Sequence, residues 1–499
     1  MRSEPYCRRI LWLAVVTHAL LWGFLTSSWY RLIQLGTWDT AIYGQVLWLI
    51  GQGDPSPFVT LLNLPLWGNH VDWILLLLAP LHRLMGERVV WLWWAHVLCV
   101  SGGALLLYRY ALLRWEQPAA ALLVALAWLW YYPWHRFLVW DFRPLDLAIP
   151  LLLALAVWEA AGRWQWWAIG VSLLLGTKEM TGLTLAAWGL RWLTQRRWWA
   201  GVGLMAGGFL YWLAAVRWVI PHFLGAPYLF TSLFYGWLGR DLGEMLQRML
   251  LHPLWVWEQC WVPENYEFLI LTTMPLLGLC LLAPRWLLPA LPMMVAFWLD
   301  RGAMGRIGCH VGILIYPFFF LGAIDGWRGL GALLSRPPQR WLLGGAALIL
   351  WGCLLTQALF YPPWGTMGEA YRMLVVAWSE PKPELPIPPA SEGVAAMGYV
   401  LPHLSQRRDL FLLPMPFYAW RLHPHELGRG LPPRDEELAK RIEERPVEWV
   451  YLDRRFPWPL SSQDLERLAG LLRESAAYRE VGRYCQGQVL VFRAVSQGG

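Results

Sequence analysis

Between residues 10 and 361 the chain is a succession of apolar stretches, most of them long enough to cross a membrane, and this limits its fold more than any motif does. A helix needs about 20 apolar residues to cross hydrocarbon, fewer where it is packed inside protein. Stretches of this kind fall at 10–29, 88–108, 119–134, 145–161, 165–177, 180–194, 199–220, 266–283, 286–299, 308–326 and 341–361, which predicts eleven spans. Composition agrees: 57% of the residues are apolar and 15% charged, against roughly 25% charged in an ordinary soluble domain. Too little charge is present to coat a chain of this length for water, so lipid must cover much of it. The 39 Trp suit the membrane interface, where an indole keeps one edge apolar and its N–H wet. The opening MRSEPYCRR leads into an apolar run too long for a signal-peptide core, with no small-residue cleavage site after it, and reads as an uncleaved first span.

One segment decides the orientation. Residues 71–86, VDWILLLLAPLHRLMG, read either as a crossing or as a helix lying in the membrane surface. If they do not cross, Arg2, Arg8, Arg9, Arg109, Arg114, Arg163, Arg191, Arg196, Arg197, Arg285, Arg328, Arg336 and Arg340 share one side, as the positive-inside rule requires. Pro80 and the polar ends His70, Asp72, His82 and Arg83 also suit an amphipathic or re-entrant helix. The expectation is a multi-pass protein of a bacterial cytoplasmic membrane, with its N-terminus inside and its C-terminal part outside. The net charge of +7 is first a topology signal; no nucleic-acid partner is expected. The seven Cys show no metal-binding spacing.

The chain changes character near residue 362. A Pro-rich stretch, EPKPELPIPP, precedes short apolar runs in VAAMGYVLPHL, DLFLLP and VEWVYLD. Then come a helical pattern, SSQDLERLAGLLRES, and two runs, YREVGRYC and QVLVFRA, that read as a hairpin. The fold class expected is mainly α: a membrane helical bundle over 1–361, with outer loops 30–87, 135–144 and 221–265, followed by a small α/β extracytoplasmic domain over 362–499.

With this topology the polar residues near the membrane boundary gather outside. The first loop holds Asp39, Gln45, His70 and Asp72; the second holds His135, Arg136, Asp141, Arg143 and Asp146. Lys178 and Glu179 lie between two short spans, and Asp300, Arg301, Arg306 and His310 form a fourth cluster. Charge at a membrane boundary is costly and commonly lines a cavity or pathway. Carboxylates beside several Arg and Lys suit a phosphate-bearing ligand and a proton acceptor. Each residue also has a plain structural use. Asp39 is placed to cap a helix starting at Thr40, Asp141 and Arg143 to pair, Lys178 and Glu179 to pair at the interface, His70 and Asp72 to cap the 71–86 segment, and His310 to pack.

Several stretches resemble the bacterial membrane proteins of the domain of unknown function 2079 family. They are TWDTAIYGQVLW, NHVDWILLLLAPLHRL, DFRPLDLAIPLLL, GTKEMTGL and CHVGILIYPFFFLGAIDG, with VLPHLSQRRDLFLLP in the tail, in the family's order over nearly the whole chain. Gly44 stands where the family pattern has a second Asp, Asn69 where it has Asp, and Met180 where an acidic residue would follow Glu179. The family is similar in layout to GT-C glycosyltransferases, which move a sugar from a polyprenyl-phosphate carrier onto an acceptor outside the cytoplasmic membrane. The resemblance implies acidic residues in the first and second outer loops, the places of Asp39 and of Asp141 or Asp146.

On that implication the expected partners are a polyprenyl-phosphate-linked sugar donor and membrane lipid. Asp39 is the expected catalytic base, and His70, Asp141, Arg143, Asp146, Lys178, Glu179, Arg306 and His310 the expected substrate-binding residues. No cofactor is required; a divalent metal (Mg or Mn) between Asp39 and Asp141 is the less favoured arrangement. The rival readings are a non-catalytic subunit built on the same scaffold and a lipid or solute transporter. The second is disfavoured because no clear internal repeat is visible and the charges lie at one boundary.

Overall fold

The computed structural model describes residues 3–36, 38–86, 88–301, 310–335, 338–360, 375, 379, 383–418 and 435–495. Its first half runs α1 (Glu4–Arg31), α2 (Trp38–Gly51), a two-strand hairpin of β1 (Phe58–Val59) and β2 (Leu64–Pro65), α3 (Leu75–Leu84), α4 (Val90–Trp115), α5 (Pro118–Leu129), α6 (Tyr132–Phe137), α7 (Ala148–Ala160), α8 (Trp164–Leu175), α9 (Thr181–Thr194) and α10 (Trp198–Ala214). Among the described residues five helices are long and apolar enough to cross a membrane: Glu4–Arg31, Val90–Trp115, Trp198–Leu224, Gly312–Leu333 and Gln339–Phe360. Each of the other apolar stretches carries helix of shorter length. The 266–283 and 286–299 stretches are broken into Pro263–Thr273, turns at Met274–Leu276 and Leu279–Leu282, Pro284–Leu287 and Leu291–Leu299. Proline explains the breaks. Pro275, Pro284 and Pro292 each stand at the first turn of a new segment, the position where a missing N–H costs least.

α3 has 10 residues, about 15 Å, which is half of what hydrocarbon requires. Its backbone is tied to the bundle by Ile74 N, which donates to Gly176 O at 3.0 Å. Trp73 lies over Gly176 so closely that a Cβ there would sit 2.7 Å from the indole. Elsewhere small residues bring helices together. A Cβ on Gly189 of α9 would fall 2.5 Å from Met205 N, and one on Gly208 of α10 2.4 Å from Gly182 O. Backbones approach this closely in membranes only through such residues.

Residues 394–494 form a five-stranded sheet in the order β4 (Leu410–Leu412), β3 (Val394–Ala396), β5 (Trp449–Asp453), β7 (Val489–Ala494), β6 (Tyr478–Tyr484). β3 is parallel to both β4 and β5, while β7 is antiparallel to β5 and β6. Alternation along the strands puts Ala395, Val450, Leu452, Leu490 and Phe492 under the helices Asp435–Glu443 and Ser462–Glu474. The opposite face, with Val394, Leu412, Tyr451 and Val491, shares one core with Ile42, Val46 and Leu47 of α2 and Leu75 of α3. Both faces are covered, so the strands read as continuous apolar runs.

The seam between sheet and bundle is also polar. Gln45, wholly buried in α2, donates through Nε2 to Arg408 O at 2.9 Å, Arg407 O at 3.2 Å and Thr60 Oγ1 at 2.8 Å. Thr60 Oγ1 in turn donates to Leu410 O at 2.6 Å and accepts from Leu410 N at 3.1 Å. A Cβ on Gly44 would lie 2.5 Å from Ser405 Oγ and 2.6 Å from a Val89 methyl, so a side chain here requires both to shift. Gln45→Leu keeps the volume but removes the donor from the buried Arg407 carbonyl and the part-buried Arg408 carbonyl. It is expected to destabilise the protein by about 1–3 kcal/mol, read as a lower unfolding temperature in detergent.

Candidate functional site

At one end of the bundle, four loops and the start of α2 converge. The helix begins at Trp38, so Asp39 lies within its first turn and does not cap a helix starting at Thr40. Its Oδ2 accepts from Arg143 Nη2. The Asp39 side chain is 31% exposed and that of Arg143 12%, so the pair sits at an opening rather than in the core. Arg143 is positioned from behind. Its backbone N donates to Asp146 Oδ2 at 3.0 Å, and the same oxygen meets His96 Nδ1 at 2.6 Å. His96 Nε2 faces Phe137 O at 3.1 Å, and both His96 and Asp146 are wholly buried. Asp146 thus holds the loop that presents Arg143, and is itself wholly buried.

A second knot lies between α3 and α9. Glu179 Oε1 meets His70 Nδ1 at 3.0 Å and accepts from Tyr228 Oη at 2.8 Å, while Oε2 accepts from Val71 N at 3.3 Å. The His70 ring stacks on Phe230, 4.8 Å between centroids. Burial opposes ionisation of Glu179, but His70, Lys178 and Tyr228 together hold its carboxyl down at about 2. Asp72 is the opposite case. It is buried, its Oδ2 accepts from Tyr43 Oη at a long 3.4 Å, and its Oδ1 has no hydrogen bond among the described residues. Burial therefore raises its carboxyl to about 6, against the pull of His70 and Lys178.

His310 belongs to the same end. Burial, with the positive charges of Arg143 and Lys178, keeps its ring well below its ordinary value, so the ring is neutral. Lys178 forms no ion pair among the described residues, although Asp72 and Glu179 lie within its field. The end thus carries a carboxylate–guanidinium pair at an opening, an ammonium with no ion-pair partner among the described residues, and a buried carboxyl poised near neutrality.

Of the residues singled out from sequence, Asp39, His70, Arg143, Lys178, Glu179 and His310 come together. Asp146 lies behind them in the core. Asp141 is 7% exposed and lies within electrostatic reach of Tyr399, toward the sheet. Arg306 lies outside the described residues. Asp72, named with His70 in the first-loop cluster, lies at the same end, whereas Tyr43, His96 and Tyr228 carry no signal in the sequence. Among the described residues no three His, Cys, Asp or Glu side chains are grouped to hold a metal ion.

Asp72 should give the protein a distinctive pH response. Between about pH 4, where an ordinary Asp ionises, and pH 6, the folded state keeps a proton that the unfolded state has lost. Stability then falls as pH rises through that window. The Glu179 contribution is lost only at lower pH, below the ordinary Glu value and toward about 2. Asp72→Asn is expected to abolish the fall between pH 4 and 6 without lowering stability at pH 7. Unfolding temperatures in detergent across this range check it.

Among solved structures, the chain is similar to ArnT from Cupriavidus metallidurans in the apo state, a GT-C glycosyltransferase, with 14% identity, a TM-score of 0.51, and 97% of each chain covered. The Archaeoglobus fulgidus oligosaccharyltransferase tethered to an acceptor peptide aligns over 92% of this chain and 72% of its own, with 12% identity and a TM-score of 0.43. No curated protein matches the sequence. The likeness to ArnT shows a GT-C-like fold. Residues 29–483 match the predicted membrane protein family DUF2079, and the chain belongs to that family.

Proposed function

We propose that this protein is a membrane glycosyltransferase that moves a sugar from a polyprenyl-phosphate carrier to an acceptor hydroxyl on the extracytoplasmic side of a bacterial cytoplasmic membrane. The observation that carries the reading is the meeting of the Asp39–Arg143 pair with Lys178 at one end of a GT-C-type fold. A phosphate leaving group is already anionic and needs little proton donation. What remains is to take the acceptor proton and to hold the phosphate.

In this reading Asp39 is the base. The acceptor oxygen forms its bond to the anomeric carbon as its proton passes to the Asp39 carboxylate. The bond from that carbon to the phosphate oxygen breaks on the opposite face, and the electron pair stays on the phosphate, so the configuration inverts. Arg143, with its planar fork, and Lys178, as a point charge, hold the phosphate oxygens. The Glu179 knot sets the position of His70 beside them. The carrier tail lies along the Trp-rich membrane face, and the sheet covers the site. Trp458, after β5, packs against Trp38 at 5.0 Å between rings, one residue from Asp39.

Asp39→Asn is expected to lower transfer by about 10²–10⁴-fold while leaving the unfolding temperature near that of the parent. Transfer of labelled sugar from a polyprenyl phosphate by the purified protein in nanodiscs measures it, and full activity in the variant overturns the assignment. Arg143→Lys keeps the charge and loses the fork. Its expected effect is a raised KM for the donor with a smaller change in kcat.

A further inference from the structure

The bundle has a second polar end. α4, α7, α9 and the helix Tyr316–Leu333 all run away from the Asp39 site, and at their far ends they enclose a cavity of about 750 Å³. His96, behind the site, and Arg114, in the cavity wall, are 18 positions apart on α4, about 27 Å of helix. That is close to the thickness of the hydrocarbon layer, so the two polar regions lie toward opposite leaflets.

The cavity wall carries Arg114, Arg191, Arg197 and Arg285 against the two carboxylates Glu159 and Asp325. Both carboxylates are fully engaged. Asp325 accepts from Arg114 Nε at 2.7 Å, Trp286 Nε1 at 2.8 Å and Tyr110 Oη at 2.9 Å. Glu159 accepts from Arg191 Nη1 at 2.9 Å and Trp188 Nε1 at 2.9 Å, with Arg197 Nη1 at 3.5 Å. Positive charge and donors remain. Arg191 is 7% exposed, its guanidinium lies 3.7 Å from the centre of the Trp286 ring, and its buried Nε has no hydrogen bond. Arg285, at the rim, has no carboxylate partner among the described residues.

The depth of the cavity is marked by its neighbours. Trp164, Trp198 and Trp199 are exposed in the turns beside Arg163 and Arg197, and Arg197 lies 5.5 Å over the Trp164 ring. Exposed indoles beside arginines mark the headgroup level. A purely structural ion-pair network would balance its charges and close on itself. Here four guanidinium groups face two saturated carboxylates around a cavity large enough for a headgroup.

We propose that this cavity is a binding site for a phosphate group, presented by the headgroup of an anionic lipid in the leaflet opposite the Asp39 site. Basic pockets between membrane helices bind such headgroups. The inference rests on neither the transfer reaction nor the role of Asp39.

Native mass spectrometry of the full-length protein released from detergent tests it. The protein is supplied in turn with phosphatidylglycerol, phosphatidylcholine and inorganic phosphate. The expected result is preferential retention of phosphatidylglycerol, reduced about tenfold in Arg197→Gln/Arg285→Gln and unchanged in Asp39→Asn. Both substituted residues are exposed at the rim, so the cores of the Asp325 and Glu159 networks stay intact. If the double variant unfolds at a lower temperature in lipid-free detergent, Arg285→Glu alone takes its place. Phosphate binding without lipid retention, lost in the same variant, supports the phosphate site and reassigns its source to a soluble phosphate ester. Equal retention of both lipids, or the same retention in variant and parent, overturns the proposal.

Discussion

The Asp39 end of the molecule depends on one buried carboxylate. Asp146 joins α4 to the loop before α7 by taking His96 and the backbone N–H of Arg143 on the same oxygen. A charge this deep is tolerable only when it is paired and hydrogen-bonded. That demand fixes the loop, and the loop aims Arg143 at Asp39. If Asp146 were exposed, Arg143 would sit on a mobile turn and its fork would have no set direction. A wholly buried residue thus sets the direction of the partly exposed pair in front of it.

The hydrocarbon explains why polar groups gather at two ends and not along the helices. Every charge away from an end would need a buried partner, and the middles of α4, α5 and α7 are filled by Ala, Leu and Val. The chain therefore carries its ionic groups as two plates separated by an apolar slab. At the Asp39 plate, the carboxylates Asp39, Glu179 and Asp72 meet three different conditions: a guanidinium at an opening, a saturated knot, and a nearly bare pocket. Those conditions set Glu179 low and Asp72 near neutrality, although the side chains are chemically alike. At the far plate, the carboxylates are saturated and the arginines outnumber them.

Much of this was legible from the chain itself. Apolar runs found the helices, and the alternation after residue 392 found the sheet, including the β6–β7 hairpin. Motif-bearing loops found Asp39, His70, Arg143, Lys178, Glu179 and His310, because polar residues in a membrane boundary are few and stand out. What pattern does not carry is direction. Asp141 and Asp146 look alike in DFRPLDLA, yet Asp146 is wholly buried against His96 while Asp141 lies within electrostatic reach of Tyr399. Tyr43 and Tyr228 reach their partners across 29 and 49 positions and leave no local signal. The same is true of the breaks in 266–299: hydropathy is blind to where prolines interrupt the hydrogen-bond ladder.

Gly44 shows how a local departure gains its meaning from tertiary contact. Read alone, a glycine in the middle of α2 is a weak helix former where the family pattern has a carboxylate. In the structure, it is the place where Ser405 comes closest to the helix, next to the Gln45 and Thr60 bonds to residues 407–410. An Asp there would hold the sheet off the helix or bury a charge against Ser405 and Val89. Without a side chain at Gly44, Ser405 and Val89 pack directly on α2. On the same side of the chain Trp458, after β5, meets Trp38 at 5.0 Å between ring centres, one residue from Asp39.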